Sequence, residues 1–442
     1  MSLRAEIAGS IDLFEVHRQA PERYPFLLQS VAGHPQSGRY DILFGFPGRS
    51  LQARAVAGGD FFGELARAIR EEALPAAPTG LPFCGGWFLL LGYEAARFVE
   101  PGLRLPPSPY GLPDALAVRC TAAAIHDRER GVTTLLAEQD PAQLEQLRQD
   151  VDKYFNNTMQ DIDSELIVSV HEDSDERFLG GVRRILDYLQ AGDIFQANLS
   201  RAWRAQLASG QDYQGVYRRL RQRNPAPFAG LACWGGSAVL SSSPERLVQI
   251  DGGWAQTRPI AGTRPRSASA EEDERLKQGL IGNLKERAEH VMLIDLERND
   301  LGRVCEPGSV EVSELMTIES YAHVHHIVSN VRGRLRGGIG PAEVLRAVFP
   351  GGTITGCPKV RAMEIIAELE GVGRGAYTGA MGYLSNCGRL DTNILIRSLV
   401  CENGEVSFRT GAGIVADSKP EAELAETRAK ARGLLLALGV EA

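Results

Sequence analysis

The chain has 442 residues and a mass of 48.0 kDa, which exceeds one ordinary domain and indicates two domains or one large α/β body. Hydrophobic residues make up 43% and charged residues 24%, a globular composition that excludes extensive disorder and fibrous repeats. The 48 basic and 56 acidic residues give a net charge of −8, so nucleic acid would meet no net positive field. An anionic substrate therefore needs a locally positive pocket or a bound cation.

The cysteines and the apolar runs indicate the cellular environment. There are seven cysteines, an odd number, and none forms a Cys-x-x-Cys pair, which argues against a structural zinc site or a disulfide framework. The first residues lack the basic-then-apolar pattern of a signal peptide, and no apolar run approaches the roughly 18 residues that span a membrane. We expect a protein of the reducing cytoplasm that binds neither membrane nor nucleic acid.

Residues 1–140 are predicted to form an N-terminal region of strands and turns. Strand-like runs occupy 37–47 and 131–138, and a third run at 85–98 places a glycine pair before an apolar strand. Between them, residues 60–73 carry apolar side chains at helical spacing.

Residues 141–175 are the most polar part of the chain and are predicted to be a connecting helix followed by a linker. Residues 176–442 then form the predicted catalytic region, in which strands, glycine turns and helices alternate. It opens with a helix over 175–192 that Gly192 ends. The charged stretch 264–278 is predicted to be a solvated, mobile loop.

Two acidic helices are the first candidate site. Glu286 and Glu289 lie on one predicted helix, and Glu423 and Glu426 on another; residues three apart share a helix face. If the two faces met, their carboxylates could hold a hard cation such as Mg²⁺. The alternative is solvated surface, with Glu426 and Lys430 as an ordinary i,i+4 ion pair.

Further motifs carry possible chemistry. In SSSPER (241–246), Glu245 could act as a general acid if it were partly buried, or it could cap a turn. In RPIAGTRPR (258–266), Gly262 permits close approach of a ligand, or the segment is a structural turn. In the strand-like segment 321–331, alternation places His325 on one face of the strand and His326 on the other.

Together and in this order, the motifs resemble those of the chorismate-utilising enzymes, over roughly residues 176–438. These enzymes include anthranilate synthase component I, aminodeoxychorismate synthase component I, and the isochorismate and salicylate synthases. The resemblance rests on GDIFQANLSR, SSSPERL, PIAGT, KERAEHVMLIDLERNDLGRV, VHHIVSNV, GTITGCPKVRAMEII, GAYTGAMGYLS, DTNILIRS, GAGIVADS and ELAETRAKA. It implies an α/β (α+β) fold, a large body of antiparallel β-sheets packed together with outer helices.

The resemblance also implies roles for individual residues. It makes Glu245 the acid that protonates the departing C4 hydroxyl, which requires a raised pKa, and it places Thr263 and the orienting His326 beside the ring. The implied metal ligands for Mg²⁺ are Glu289 and Glu426, with Glu286 and Glu423 holding metal-bound waters. The implied substrate-binding residues are Gly262, Thr263, Tyr377, Arg397, Gly411, Ala412 and Gly413.

The branch of the family is decided by a few positions. Water-adding members carry a lysine base where this chain has Gln196, so ammonia from a separate glutaminase subunit is the implied nucleophile. Many aminodeoxychorismate synthases carry a nucleophilic lysine where this chain has Ala261, which excludes covalent lysine catalysis there and favours anthranilate synthase. Asn198, Arg246 and His325 instead resemble aminodeoxychorismate synthase.

Our sequence-based assignment is therefore Mg²⁺-dependent amination of chorismate at C4, giving 4-amino-4-deoxychorismate for folate synthesis without the covalent lysine. The alternative is anthranilate synthase component I, which adds ammonia at C2 and eliminates pyruvate. A remote alternative is a non-catalytic subunit that binds chorismate-like acids.

An effector site is also implied near the N-terminus. Anthranilate synthases use an L-L-E-S motif to bind feedback tryptophan, and this chain has LLQS at 27–30. Ser30, Pro227 and Phe228 could therefore form a tryptophan pocket, with a purely structural role as the alternative.

Overall fold

The computed structural model describes most of the chain. The described residues are 3–9, 11–31, 38–72, 80–154, 165–267, 269–320 and 324–440. Their strands are β1 (Leu3–Ala8), β2 (Phe26–Gln29), β3 (Tyr40–Ala53), β4 (Gly86–Leu91), β5 (Ala115–Asp127), β6 (Val132–Ala137), β7 (Ile167–Glu172), β8 (Gln196–Leu207), β9 (Phe228–Trp234), β10 (Ser237–Ser243), β11 (Arg246–Asp251), β12 (Trp254–Thr257), β13 (Ile260–Pro265), β14 (Glu311–Ser320), β15 (Val324–Arg334), β16 (Gly356–Cys357), β17 (Ala380–Ser385), β18 (Leu390–Ile394), β19 (Ser398–Glu402) and β20 (Glu405–Ile414).

Helices connect these strands. They are α1 (Leu13–Gln19), α2 (Phe61–Glu71), α3 (Ala96–Val99), α4 (Pro141–Tyr154), α5 (Asp175–Ala191), α6 (Tyr213–Arg223), α7 (Ala270–Gly282), α8 (Leu284–Gly302), α9 (Pro341–Val348), α10 (Lys359–Glu370) and α11 (Pro420–Leu438). Short 3₁₀ turns cover Ala55–Ala57, Tyr93–Ala95 and Gly352–Ile354. Among the described residues, no helix is long and apolar enough to cross a membrane.

Antiparallel ladders join the described strands into one large sheet. One run of neighbours is β15–β12–β11–β18–β17–β4–β5, and it continues through β3, β2, β9, β10, β19 and β20 to β8. The sheet therefore connects strands that lie far apart in the sequence.

The alternation of side chains along β4 explains how the layers form. Phe88 and Leu90 join a core whose members come almost entirely from strands, whereas Trp87, Leu89 and Leu91 join a core that includes α2, α8 and α9. Successive strand residues point to opposite faces, so an all-apolar strand is buried on both. The expected fold, antiparallel sheet layers packed together with outer helices, is confirmed.

Local signals place several elements where the sequence predicts them. The helix predicted at 175–192 is α5; Ser174 Oγ accepts from Arg177 N at its start, and Gly192 ends it with φ 79°. Both acidic helices are present as α8 and α11.

The prediction of a mobile loop at 264–278 is wrong. Most of this stretch belongs to β13 and α7, and Asp273 is buried. Its carboxylate accepts hydrogen bonds from Arg266 Nε (2.9 Å) and Ser267 N (2.9 Å) and lies 2.9 Å from His325 Nε2. Buried charged groups are stable only with such partners, which the charge count alone does not reveal.

The predicted boundary near residue 140 falls between β6 and α4. The sheet crosses this boundary, because β2 pairs with β9 and β4 pairs with β17. The division into residues 1–140, 141–175 and 176–442 stays a prediction about chain segments.

Candidate active site

Glu245 lies in the link between β10 and β11. Ser243 Oγ accepts from Glu245 N (3.2 Å), Ile394 N donates to Glu245 O (3.0 Å), and Thr353 Oγ1 donates to Glu245 Oε1 (2.9 Å). Glu245 is 5% exposed, and burial raises its pKa to about 7, opposed by the Thr353 hydrogen bond and the Arg397 charge. The carboxyl can therefore hold a proton near neutral pH, as a general acid requires.

His326 lies opposite Thr263 in the ladder between β15 and β13. The ladder is irregular at Gly262, which has φ 59°. His326 Nδ1 lies 3.0 Å from Thr263 Oγ1 and 3.2 Å from Gly262 O, and since a carbonyl only accepts, Nδ1 carries the hydrogen. Burial lowers the pKa of His326 to about 3, and the nearby Arg397 charge acts in the same direction. A neutral imidazole suits the expected orienting role.

Tyr377 and Arg397, the expected carboxylate anchors, are both hydrogen-bond donors; Tyr377 is buried and Arg397 is half-buried. A Cβ placed on Gly411 would lie 2.7 Å from Tyr377 Oη, so the phenol contacts the GAG strand. Burial raises the pKa of Tyr377 to about 12, and the phenol keeps its proton. Burial lowers the pKa of Arg397, while the charge of Glu245 counteracts this effect; a guanidinium stays cationic in proteins.

Arg397 also has an unusual backbone. Its φ of 51° lies in the left-handed region, which costs a residue with a side chain about 1–3 kcal/mol. Strain of this kind persists only where the surrounding structure imposes it. Arg397 lies in the segment between β18 and β19.

The GAG segment lies on β20, paired with β8. A Cβ on Gly411 would lie 2.7 Å from Asn198 Oδ1 and 2.7 Å from the backbone oxygen of Leu199, so this position needs glycine. A Cβ on Gly413 would lie 2.4 Å from Gln196 Nε2, so a side chain there would displace the Gln196 amide. The Ala412 methyl packs instead into an apolar core. Of Ala412, only the backbone is therefore available to a ligand.

Gln196 and Asn198 share one face of β8. Each is 8% exposed, and neither Gln196 Oε1 nor Asn198 Oδ1 has a hydrogen-bond partner among the described residues. Buried polar atoms are normally satisfied, so the pair offers two acceptors to a ligand that carries N–H or O–H donors.

The four expected metal-site glutamates lie on α8 and α11. Glu286 Oε1 is 3.2 Å from Arg264 Nη1, and a Cβ on Gly262 would lie 2.7 Å from Glu286 Oε2. On α11, Lys430 Nζ lies 2.7 Å from Glu426 Oε1 and donates to Gly411 O (2.9 Å), so the expected i,i+4 pair is present. α8 thus reaches the PIAGT motif and α11 reaches the GAG motif.

These glutamates offer only carboxylate oxygens. In the described part of the chain, no group of three or more acidic, histidine or cysteine side chains could hold a metal by itself. Mg²⁺ is usually bound through one or two carboxylates together with waters and substrate oxygens, so the donor chemistry fits this ion.

The expected effector residues Ser30, Pro227 and Phe228 line one cavity of about 450 Å³. At its wall, Arg246 Nε and Nη2 donate to the Asp391 carboxylate at 2.8 and 3.0 Å. Consecutive extended residues point to opposite faces, so Arg246 faces this cavity while Glu245 faces Thr353. The cavity and the Glu245 carboxyl therefore lie on opposite sides of this segment.

Comparison with known proteins decides the family. The family model described as chorismate binding enzyme matches residues 26–436. The chain belongs to this family. It is similar to the anthranilate synthase component 1 of Pseudomonas aeruginosa, with 40% identity over 95% of this chain and 91% of that protein. It is also similar to an anthranilate synthase component I-like protein of Synechocystis, with 42% identity over 92% and 84% of the two chains.

Comparison with solved structures supports the same family and fold. Anthranilate synthase component I of Streptococcus pneumoniae matches with a TM-score of 0.80 and 30% identity over 91% of this chain and 93% of that chain. The menaquinone-specific isochorismate synthase of Escherichia coli matches with a TM-score of 0.77 over 99% and 95%, and its 18% identity supports the fold alone. These names favour anthranilate synthase, whereas our sequence analysis preferred aminodeoxychorismate synthase.

Some residues of this chorismate-binding site were not predicted. Thr353 lies in GTITGCPKVRAMEII, one of the motifs that carry the resemblance, and its hydroxyl donates to Glu245 Oε1. Lys430 was expected only as a partner of Glu426, and it also contacts the GAG strand. Hydroxyl and ammonium contacts between distant segments leave no periodic signal in a sequence.

Proposed function

We propose that the chain is the chorismate-aminating component I of an anthranilate synthase. Ammonia forms a bond to C2 of chorismate, the C4 hydroxyl leaves as water, and elimination of pyruvate yields anthranilate. Chorismate and ammonia thus give anthranilate, pyruvate and water.

The observation that carries this proposal is the side chain at position 261. Ala261 lies on β13 beside Gly262 and opposite Ile327 of β15. Its methyl group cannot attack C2, so ammonia attacks the ring carbon directly instead of displacing an enzyme amine. Direct attack at C2 gives an amino group next to the ring carboxylate, and the names of the relatives support the same assignment.

Each neighbouring residue then has a defined task. Glu245 donates its proton to the departing hydroxyl, since burial keeps a fraction of its carboxyl protonated near neutral pH. Tyr377 and Arg397 hold substrate carboxylates. The Thr263 hydroxyl and the neutral His326 fix each other beside Gly262 and shape the wall against the ring.

The two unsatisfied amides on β8 provide a place for ammonia. Gln196 Oε1 and Asn198 Oδ1 accept hydrogen bonds from its N–H groups, which leaves the nitrogen lone pair for attack. An amide cannot remove a proton from water, so this position disfavours hydration of chorismate. A separate glutaminase subunit is the proposed source of ammonia.

Mg²⁺ is the proposed cofactor, held by Glu289 and Glu426 with Glu286 and Glu423 behind waters. When bound, it neutralises a substrate carboxylate that the acidic helices would otherwise repel. The cations Arg264 and Lys430 already balance Glu286 and Glu426.

Amination at C4 to 4-amino-4-deoxychorismate is the second candidate, and Asn198 favours it. Arg246 and His325 do not bear on the product. Arg246 pairs with Asp391 at the cavity wall, and His325 contacts Asp273 and Ser320 away from the Thr263 contact of His326. Of the three residues that suggested this branch, only Asn198 lies beside the GAG strand.

We also propose that the cavity lined by Ser30, Pro227 and Phe228 binds tryptophan as a feedback effector. Its position behind Glu245 provides a short path from the effector to the acid. Tryptophan should then inhibit chorismate turnover, and Ser30→Ala should weaken this inhibition without changing uninhibited activity.

The function is tested with the purified chain, chorismate, Mg²⁺ and ammonium at a mildly alkaline pH that supplies free ammonia. Fluorescent anthranilate with one equivalent of pyruvate supports the proposal. A product that retains its enolpyruvyl group and becomes 4-aminobenzoate on addition of a lyase establishes the second candidate. Chorismate binding without turnover would indicate the non-catalytic alternative.

A further inference from the structure

Two cysteines lie together on the side of the molecule where β4 meets the β17–β18 turn. Cys84 precedes the glycine pair that leads into β4, and Cys387 lies in the turn. Cys84 Sγ and Cys387 Sγ are each 3.2 Å from the same atom, Ser385 Oγ. All seven cysteines are free thiols, and these two share a hydrogen-bonding partner.

The strand register brings the two residues face to face. Gly86 lies opposite Ser385 in the antiparallel ladder, and Asn386 N donates to Gly85 O (2.8 Å) one position further out. Cys84 and Cys387 come next on either side, where β4 has not yet begun and the chain turns between Ser385 and Gly388. Because both sulfur atoms contact the same Ser385 hydroxyl, a small movement of the turn suffices to bring them within bonding distance.

The surroundings favour a thiolate on Cys387. The hydrogen bond from the Cys84 thiol lowers the pKa of Cys387, and Ser385 and the Arg389 backbone and charge act in the same direction. The same interaction raises the pKa of Cys84. Cys387 is half-buried whereas Cys84 is only 6% exposed, so an oxidant from solvent reaches Cys387 first.

We propose that Cys387 is a peroxide-sensitive thiol that Cys84 resolves into a reversible Cys84–Cys387 disulfide. The Cys387 thiolate attacks one oxygen of hydrogen peroxide, breaks the O–O bond and forms a sulfenic acid with release of hydroxide. The Cys84 sulfur then attacks the sulfenic sulfur, forms the S–S bond and releases water. The cysteines lose two electrons, the peroxide gains them, and a dithiol reverses the reaction.

The position of this pair connects it to the cavity that Ser30 lines. Pro82 and Arg389 both line that cavity, and each lies two residues from one of the cysteines. Arg389 Nη1 also donates to Leu81 O across the same junction. The disulfide would therefore join the two chain segments that form this part of the cavity wall.

The test uses the full-length reduced chain. It is treated with hydrogen peroxide, blocked with N-ethylmaleimide and digested without reduction for mass spectrometry. The expected product is a peptide pair linked through Cys84 and Cys387 that a dithiol separates. Cys84→Ser should leave a Cys387 sulfenic acid that dimedone traps, and Cys387→Ser should leave Cys84 unmodified.

Cys357 is the matched control within the same chain, because it is also half-buried but burial raises its pKa. Iodoacetamide at neutral pH should alkylate Cys387 about tenfold or more faster than Cys357. This comparison needs no variant and holds even if a serine substitution impairs folding. Equal rates at the two cysteines, or oxidation of Cys387 with no link to Cys84, would overturn the proposal.

Discussion

Glu245 and Glu426 are glutamates of the same candidate site, but their environments are opposite. Glu245 lies between two strands, is 5% exposed, and has a hydroxyl rather than a cation as its hydrogen-bond partner. Glu426 lies on α11 with its side chain 49% exposed and paired with Lys430 at 2.7 Å. Burial raises the pKa of Glu245 to about 7 against the opposing charge of Arg397, whereas Glu426 stays half exposed beside a lysine ammonium. The same residue type thus occupies two different electrostatic environments within one candidate site.

The largest effect is expected from replacing the buried acid. Glu245→Gln keeps the shape of the side chain but supplies no proton, so kcat should fall about 100- to 10,000-fold. Anthranilate fluorescence measures the rate, and circular dichroism together with chorismate binding checks the fold. A variant with nearly full activity would remove Glu245 from the acid role.

Replacing the exposed Glu426 should lower activity by weakening Mg²⁺ binding. Glu426→Gln should abolish Mg²⁺-dependent turnover at ordinary Mg²⁺ concentrations while leaving the fold intact, since a neutral amide is a poor ligand for this ion. Glu421→Gln is the matched control, because Glu421 is exposed in the first turn of the same helix and lies 3.8 Å from Arg183 Nη2. Unchanged Mg²⁺ dependence in Glu426→Gln would contradict the assignment.

A smaller effect on kcat is expected from removing the hydroxyl that contacts the buried Glu245 carboxyl. Thr353→Val removes the hydroxyl that donates to Glu245 Oε1 and lowers its pKa. The pKa of Glu245 should rise, and kcat should fall about tenfold because a net hydrogen bond is worth about 1 kcal/mol and the carboxyl loses its orientation. Thr353→Ser, which keeps the hydroxyl, should behave like the unsubstituted chain.

The pH dependence is the subtlest test. The acid form of Glu245 is populated below its pKa of about 7, so kcat/KM for chorismate should decline as pH rises through that value. The profile must be recorded at a constant concentration of free ammonia, because ammonium also loses its proton as pH rises. In Thr353→Val the decline should move to higher pH, and a profile that is flat from pH about 6 to 9 would count against a titrating acid.

Much of this site could be predicted because it is encoded in contiguous motifs. Thr263 of PIAGT lies on β13, Gly411 of GAG lies on β20, and Glu245 of SSSPER lies in the link between β10 and β11. The roles that the resemblance implies for these residues stay predictions. The two acidic helices were predicted, and the spacing of their glutamates places the members of each pair on one helix face.

Contacts between distant segments could not be predicted. Thr353 meets Glu245 across 108 positions, and Asp273 meets His325 across 52. The burial of Asp273 in a charged stretch and the position of Arg246 in the wall of a separate cavity both follow from tertiary packing. These contacts place Arg246 beside Asp391 and His325 beside Asp273.

The most direct test of the account is the position of nitrogen in the product. Turnover of chorismate with ¹⁵N-ammonium and Mg²⁺, followed by NMR of the product, locates the labelled nitrogen on the ring. We predict nitrogen on the carbon next to the one that bears the carboxylate, as attack past the Ala261 methyl at C2 requires. Nitrogen on C4 with the enolpyruvyl group retained would contradict direct amination at C2.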